Sequence, residues 1–559
     1  MTTSPAKPSA LKHLSGLDAT FLYLETPQTP MHVGGLHLCE LPAGFKGSFH
    51  TAVVKHLAKR MHLSPIFTRK LVFMPLNLGH PIWMEDGDFD ISRHILAHSE
   101  PTTVKQLEAA AAKLHGQLLD HQHPLWQFHI FEHVKQPDGA VCAAFYSKIH
   151  HAALDGQGGT VLANAILDIS STPREVAPPD LAHPRRAAGD LKIGEMIGAV
   201  FSNTLAQYAK LIKALPNAAS QVGSSLTKSN LPLAQKSAGK TSLQAKTPIS
   251  LAPKTLFNVG LTAQRVFVTT RIPFDECRLM AKSIGASFND IVLWICSTAL
   301  RTYLAEHASI PTKPLIAAMP VSLRGKDNND VSNKDLGNQA IMSLANLGTH
   351  IAHPGKRMAA IMASTNKVKE AMVNLKSVLP TDYPSFLAPW IVGGAARLAL
   401  KTYGRGDIAQ RLPLVANLVI SNVPGPQVPL YLAGARFISF HPMSIVMHGL
   451  GLNITVQTYA GHVDFGIIAG KTALPHAQDL AKAIDAAFNE ARNLYSAAQP
   501  AHAVRTERAK ATPKASAKTS VKSPVKTPAA KVSRATKKLV PASKAPASKT
   551  KAKKTGTLR

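Results

Sequence analysis

The sequence predicts an α/β fold of layered sheets covered by helices, divided into two domains. Strand-like apolar runs alternate with helical segments of ten or more residues, and this alternation is typical of sheets covered by helices. The chain has 559 residues and is 45% hydrophobic, whereas a single core stops growing near ~250 to 300 residues. We therefore expect domains at residues 1–170 and 263–500, a linker at 171–262 and a tail at 501–559.

Short apolar runs predict the strands, and apolar residues at helical spacing predict the helices. The predicted strands are residues 71–74, 140–149, 265–271, 315–319, 418–421, 452–459 and 462–469. The predicted helices are residues 47–61, 103–119, 159–169, 275–283, 290–307, 354–377 and 475–495. The last two strands are separated by Ala460 and Gly461, which predicts a hairpin.

A pair of adjacent histidines is the most informative feature for function. An apolar run from Val141 ends in His150 and His151, and Asp155 and Gly156 follow. Histidine exchanges a proton near neutral pH, so a histidine here could activate a hydroxyl. Adjacent side chains on an extended segment point to opposite faces, so we assign the base role to His151 and expect His150 to pack behind it.

The two residues that follow have a structural interpretation. Asp155 could fix the loop through an ion pair. Gly156 permits the positive φ or the close approach that Asp-Gly turns often need. A metal site is not expected, because neighbouring histidines diverge and no Cys or Glu-x-x-His partner stands nearby at ligand spacing.

The pattern His-His-x-x-x-Asp-Gly resembles the signature of the coenzyme-A-dependent acyltransferase superfamily, which includes chloramphenicol acetyltransferase. Further segments resemble the wax ester synthase/diacylglycerol acyltransferase branch in the same order along the chain. They are residues 14–21, 30–34, 124–126, 253–258, 289–293, 320–324, 336–339 and 421–426. The resemblance covers about residues 11–497 and implies two chloramphenicol-acetyltransferase-like domains, each a mixed sheet covered by helices, joined by a helical crossover linker.

The resemblance also implies a reaction. A long-chain acyl group would move from acyl-CoA, as a substrate and without any cofactor, to diacylglycerol or a long-chain alcohol, giving triacylglycerol or wax ester. His151 would deprotonate the hydroxyl, which attacks the thioester directly, and Asn289 would donate to the oxyanion. His150 and Asp155 would mainly orient the loop. Runner-up functions are transfer to another alcohol or to an amine, and a structural or nucleic-acid-tethering protein of lipid inclusions.

Several of these residues have a second interpretation. Asn289 could cap a helix that begins at Asp290, and this is compatible with a role at the oxyanion. Arg324 could pair with Asp155 or be a surface charge, and the sequence leaves both open.

The segment Pro124-Leu125-Trp126 has two interpretations as well. Pro124, Leu125 and Trp126 are candidates for substrate binding. Packing in the core is the stronger interpretation for Leu125 and Trp126, because a large aromatic side chain usually contributes through its buried area.

The linker and the tail point to charged surfaces. Apolar residues recur at helical spacing between Ile193 and Ile212, which favours core packing and leaves interfacial membrane binding as the alternative. The stretch 383–400 has the same two interpretations. Residues 501–559 contain seventeen Lys or Arg and one acid, Glu507, so the tail contributes +16 of the formal net charge of +30.

Such a tail is expected to be disordered and to bind polyanions. An anionic membrane or lipid-inclusion surface is the favoured partner, and nucleic acid is a possible partner. The alternative is a tail that is solvated and has no binding partner. Four scattered cysteines suit a reducing compartment, and no apolar stretch reaches the ~18 to 20 residues of a membrane span. We expect a cytoplasmic protein, peripheral on the inner face of the plasma membrane or on lipid inclusions.

Overall fold

A computed structural model describes residues 13–74, 80–100, 103–154, 158–179, 252–322, 340–375 and 414–496. The helices of the first half are α1 (Gly16–Leu24), α2 (Phe49–Ala58), α3 (Val104–His115) and α4 (Gly158–Ile166). Its strands are β1 (His32–Glu40), β2 (Arg69–Val72), β3 (Ile82–Glu85), β4 (Ile95–His98), β5 (Trp126–Lys135) and β6 (Val141–His150).

The second half continues the same alternation. Its helices are α5 (Phe274–Ser283), α6 (Phe288–His307), α7 (Pro354–Leu375) and α8 (Ala477–Tyr495). Its strands are β7 (Arg265–Pro273), β8 (Ile316–Ser322), β9 (Ala340–Asn346), β10 (Leu418–Val423), β11 (Tyr431–Leu432), β12 (Ala435–Phe437), β13 (His441–Met443), β14 (Leu452–Tyr459) and β15 (His462–Gly470). The predicted strands and helices are therefore present, with ends that differ by a few residues.

The first sheet is mixed. Its order is β11-β12-β1-β6-β5-β4, and β13 also pairs with β1. Only β4 and β5 run parallel among its described pairs. The register of β1 and β6 places His32 opposite His150. Gly34 allows this close pairing, because a Cβ atom there would overlap the carbonyl oxygen of Ser147.

The second sheet is also mixed and has the order β7-β15-β14-β10-β8-β9. Strand β10 runs parallel to both β14 and β8. The other described strand pairs of this sheet are antiparallel. The hairpin of β14 and β15 turns at Ala460 and Gly461, whose φ angles are 45° and 83°. Positive φ at both central residues is typical of a tight hairpin turn, so the predicted hairpin is confirmed.

A segment of the second half completes the first sheet. Strands β11, β12 and β13 follow β10 in sequence, yet they pair with one another and with β1. The backbone N–H of Ile438 donates to the carbonyl of Leu38 at 2.7 Å. The two sheets are thus linked by strand exchange between the halves, which the sequence did not predict, and the predicted domain bounds remain a prediction.

Helix α6 forms the centre of the second core. Thirteen of its twenty residues are buried, among them Trp294, and it packs against α8 and α7. The helix begins at Phe288 and is capped by Ser287, whose side chain and backbone N–H exchange hydrogen bonds with Asp290. This reciprocal capping box leaves Asn289 as the second helical residue, so the expectation that Asn289 is the cap was wrong.

Among the described residues, no single helix is long and apolar enough to cross a membrane, although α5 and α6, bent by 103°, pass the length and composition test as a pair. The predicted linker helix, the stretch 383–400 and the basic tail lie outside the described residues.

Candidate active site

His151 lies at the end of β6, where the strand gives way to a short 3-10 turn, His151–Ala153. Its backbone N–H donates to the carbonyl of Met31 at 2.8 Å. Its ring stacks on Phe21 of α1, with centroids 3.8 Å apart and planes 18° from parallel. The hydrogen bond to Met31 therefore holds the backbone of His151, and the Phe21 ring holds its imidazole.

Burial keeps this histidine neutral. Desolvation, and next the charge of neighbouring His150, lower the pKa of His151 to about 4. Its Nδ1 atom is buried and has no hydrogen-bond partner among the described residues. A neutral imidazole retains a lone pair, so His151 can accept a proton at pH 7.

His150 lies behind the turn and is fully buried. Its Nδ1 accepts the backbone N–H of Ala152 at 3.1 Å, and its Nε2 lies 3.3 Å from Oε1 of Glu25. Its backbone N–H donates to the carbonyl of Leu125 at 2.9 Å. The two histidines therefore have different surroundings, as the opposite-face argument predicted.

A buried carboxylate with three histidines lies beneath the turn. Glu25 places Oε2 2.7 Å from Nε2 of His121, and Oε1 3.4 Å from Nε2 of His32. Burial raises the pKa of Glu25, but the hydrogen bonds from His121, His150 and His32 outweigh burial and hold the pKa well below its usual range. Glu25 is thus ionised.

The sequence analysis missed Glu25 and His121. His32 belongs to the segment 30–34 that carried the family resemblance, but neither Glu25 nor His121 stands at a recognisable spacing from the His-His pair. The contact between Glu25 and His150 spans 125 positions of sequence, so only the fold brings them together.

Glu25, His121 and His150 also lie close enough to hold a metal ion. The hydrogen bond at His150 argues against this, because an Nδ1 that accepts an N–H leaves the ring proton on Nε2. That protonated nitrogen faces Glu25 and cannot bind a cation. His307, His476 and Asp479 form a second such group near the protein surface.

A cavity of about 380 Å³ runs beside the turn His151–Ala153. Ile149 and Leu154, which flank His151 in sequence, both line it. Its walls come from the first sheet, which includes β12 and β13, from helix α4 and from the second sheet. Representative lining residues are Val33, Phe145, Leu162, Phe437, Val423 and Gln457. The cavity therefore exists only because both halves of the chain contribute to it.

The cavity is lined mainly by apolar side chains and its one histidine is neutral. His37 stacks on Phe437, with centroids 4.5 Å apart, and burial, followed by the charge of His441, lowers the pKa of His37 to about 3. Ser147 is occupied by a hydrogen bond from the backbone N–H of Gly35 at 3.0 Å. An uncharged, apolar cavity of this kind suits a hydrocarbon chain.

The Pro-Leu-Trp block belongs to the core. Leu125 and Trp126 are fully buried, and Trp126 donates from Nε1 to the carbonyl of Phe67 at 3.1 Å. Neither residue lines the cavity, as the packing interpretation expects. Leu125 still supports the site through its carbonyl, which accepts the N–H of His150.

Of the remaining predicted site residues, the structure describes only Asn289. The side chain of Asn289 accepts a hydrogen bond from Nδ2 of Asn422 at 3.4 Å, which joins two of the motif segments. Asp155, Gly156 and Arg324 lie outside the described residues. Their expected roles remain predictions.

Comparisons with known proteins agree with this geometry. The wax ester synthase/diacylglycerol acyltransferase catalytic domain matches residues 14–292, and the C-terminal domain of the same family matches residues 336–492. The O-acyltransferase WSD of Acinetobacter baylyi is 32% identical over 474 residues, which cover 84% of this chain and 94% of that protein. The probable diacylglycerol O-acyltransferase tgs2 of Mycobacterium tuberculosis is 32% identical over 476 residues, covering 85% and 97% respectively.

A solved structure shows the same fold. The wax ester synthase/diacylglycerol acyltransferase from Marinobacter aquaeolei VT8 superposes with a TM-score of 0.58 at 26% identity, over 87% of this chain and 100% of that one. The predicted fold class is confirmed. The chain belongs to the wax ester synthase/diacylglycerol acyltransferase family and is an O-acyltransferase that uses acyl-CoA, as its motifs implied.

Proposed function

We propose that this enzyme transfers a long-chain acyl group from acyl-CoA to diacylglycerol or to a long-chain alcohol, with His151 as the general base. The observation that carries the proposal is a neutral histidine whose ring stacks on Phe21 and whose sequence neighbours Ile149 and Leu154 line an apolar cavity. The related proteins named above as wax ester synthases and diacylglycerol acyltransferases support the choice of acceptors.

The proposed reaction is a direct transfer without an acyl-enzyme. Because Nδ1 of His151 is buried, we assign Nε2 as the nitrogen that takes the hydroxyl proton. The acceptor oxygen forms a bond to the thioester carbonyl carbon, and the carbonyl oxygen becomes an oxyanion. As the C–S bond breaks, His151 returns the proton to the thiolate, which leaves as coenzyme A.

We assign the stabilisation of the oxyanion to Asn289. This residue lies in the first turn of α6, where the partial positive charge of a helix N-terminus favours a developing negative charge. Neighbouring Asp290 is committed to structure, because it completes the capping box and accepts a hydrogen bond from Thr365 at 2.7 Å.

The cavity accounts for the preference for long chains. Its volume of about 380 Å³ falls within the range of about 300–1,000 Å³ that is typical of ligand pockets. Each methylene that moves from water into such a cavity contributes about 0.8 kcal/mol. A long chain therefore gains binding free energy that a short alcohol lacks.

We also propose that the enzyme is cytoplasmic and meets its lipid substrates at an anionic membrane or lipid-inclusion surface. The net charge of +16 in residues 501–559 supports this proposal, since each basic residue near such a surface contributes about 1 kcal/mol. Nucleic acid is the competing partner for a tail of this charge.

The reaction is tested with purified enzyme, palmitoyl-CoA and separate acceptors, namely diacylglycerol, hexadecanol, a short alcohol and an amine. Chromatography identifies the acylated product, and a thiol reagent measures released coenzyme A. We expect triacylglycerol or wax ester with equimolar coenzyme A. Product from the short alcohol or the amine alone would contradict the proposed acceptors.

A further inference from the structure

We propose that Glu25 is a positioning residue for acyl transfer, which holds both backbone segments that fix His151. This inference rests on the general-base role proposed above. Glu25 directly follows α1, whose residue Phe21 stacks on His151. One short segment of chain therefore supplies the aromatic face and the carboxylate.

The first connection runs through His150. Because Nδ1 of His150 accepts the N–H of Ala152, the ring proton is on Nε2, and that atom lies 3.3 Å from Oε1 of Glu25. The carboxylate selects this tautomer, and the tautomer in turn lets His150 hold the backbone of the turn. Glu25 thereby acts on the chain immediately before and after His151.

The second connection runs through Met31. The backbone N–H of Met31 donates to Oε1 of Glu25 at 3.2 Å, and the carbonyl of Met31 accepts the N–H of His151 at 2.8 Å. Glu25 is thus bonded to the residue that binds the backbone of His151. The same carboxylate oxygen makes both contacts, a hydrogen bond from Met31 and a contact of 3.3 Å with His150, so one side chain joins the two backbone segments that hold the proposed base.

The side chain of Glu25 is also buried, which supports a fixed position. The side chain of Glu25 is 4% exposed, and a buried carboxylate is costly unless its oxygens are satisfied. Here Oε1 faces His150, His32 and Met31, while Oε2 faces His121. An ionised group held from four sides has a defined position, which is what a support for a catalytic turn requires.

The expected effect is on the chemical step. A displacement of about 1 Å of a reacting group can cost about 10²-fold in rate. Glu25 is not among the residues that line the cavity, so we expect its loss to leave the binding of the acyl chain intact. We expect Glu25→Ala to lower kcat by about 10²-fold and to change KM for palmitoyl-CoA by less than threefold.

Glu25→Gln separates hydrogen bonding from charge. The amide keeps an oxygen that can accept from Met31 and His150, and its NH₂ group can donate to a ring nitrogen of His121. We expect Glu25→Gln to restore kcat to within about tenfold of the wild type. Two folded variants with the same loss of kcat would overturn the proposal, because charge rather than acceptance would then be responsible.

Glu132→Ala is the matched control. Glu132 also accepts a backbone N–H, that of His50 at 2.9 Å, and a side-chain hydroxyl, that of Ser48. It lies near the β5–β6 turn, six residues along β5 from Trp126, or about 20 Å from the catalytic end of the hairpin. We expect wild-type kcat in this variant, and a loss that equals that of Glu25→Ala would overturn the specific role of Glu25.

A double-mutant cycle distinguishes failure of this inference from failure of the proposed function. If Glu25 acts through His150, the double variant Glu25→Ala, His150→Ala should lose less than the product of the two single losses. Strictly multiplicative losses would overturn the inference. Full activity of His151→Ala would instead overturn the general-base function, whatever the Glu25 variants show.

Discussion

At the scale of single residues, the two adjacent histidines have different surroundings and different proposed roles. His151 stacks on Phe21, whereas His150 is fully buried, accepts the backbone N–H of Ala152 and lies 3.3 Å from Glu25. The sequence could predict that their faces differ, because that follows from extended backbone alone. It could not predict Glu25, because the contact depends on how α1 packs against the turn His151–Ala153 that follows β6.

The first prediction compares substitutions of the two histidines. His151→Ala removes the base, so we expect kcat to fall by about 10²–10⁴-fold, the usual worth of general acid–base catalysis. His150→Ala leaves the base in place and should cost less. Product formation from palmitoyl-CoA and hexadecanol measures both losses.

Thermal unfolding of each variant provides the control for a loss of fold. Turnover of folded His151→Ala at the wild-type rate would end the assignment of the base.

The second prediction concerns pH. Burial lowers the pKa of His151 to about 4, and only the neutral imidazole can take the hydroxyl proton. As pH falls through that pKa, His151 becomes charged and activity is lost. We therefore expect the acidic limb of kcat/KM near pH 4 rather than near pH 6.5, the ordinary value for histidine.

Rates should be measured in short assays after incubation at each pH, followed by a return to pH 7 to confirm that no enzyme has unfolded. A reversible acidic limb close to pH 6.5 would show that His151 is not desolvated in the working enzyme.

At the scale of elements, every helix and strand that local rules predicted within the described residues is present, but these rules missed helix α1 and eight of the fifteen described strands, among them β5. The apolar run of β6 and the Ala-Gly hairpin follow from periodicity and turn chemistry. The start of α6 was misplaced because Asn alone is a good cap, whereas the reciprocal bonds of Ser287 and Asp290 satisfy two donors at once. Pairing of β12 and β13 with β1 joins distant parts of the sequence, and no local pattern encodes it.

The third prediction separates capping from chemistry at the start of α6. Ser287→Ala should destabilise the protein by about 1 kcal/mol, the usual cost of a lost cap. Asn289→Ala removes no cap bond and should change stability much less. If Asn289 donates to the oxyanion, its loss should lower kcat by about 10²-fold or more.

Denaturant unfolding and steady-state kinetics on the same two variants test this division. Full turnover in Asn289→Ala would require another donor for the oxyanion, and a large loss of stability in that variant would restore its role as a cap.

At the scale of the whole molecule, the active site is a joint product of both halves. Its proposed base directly follows β6 of the first sheet, and residues of β10, β13 and β14 complete the cavity. The sequence placed the acyltransferase motifs in order but could not show that β12 and β13, from the second half, join the first sheet beside β1. Topology of this kind is determined by burial of the two cores together.

The last prediction concerns the basic tail. Removal of residues 501–559 takes away a net charge of +16 and none of the residues of the described site. Turnover on detergent-dispersed substrate should therefore stay near that of the full chain. Binding to anionic vesicles should weaken, because the attraction of each basic residue to the surface, about 1 kcal/mol, is lost.

Co-sedimentation of the full and shortened chains across a salt series measures this binding, with phosphatidylserine-containing vesicles, uncharged vesicles and duplex DNA in parallel. The attraction should fade as salt rises, since exposed charges are screened over about 8 Å at physiological ionic strength. A full-length variant whose tail lysines and arginines are replaced by Gln controls for chain length. Salt-sensitive retention on DNA alone would contradict the lipid-surface proposal, whereas equal behaviour of all chains on every surface would mean that the tail is only solvated.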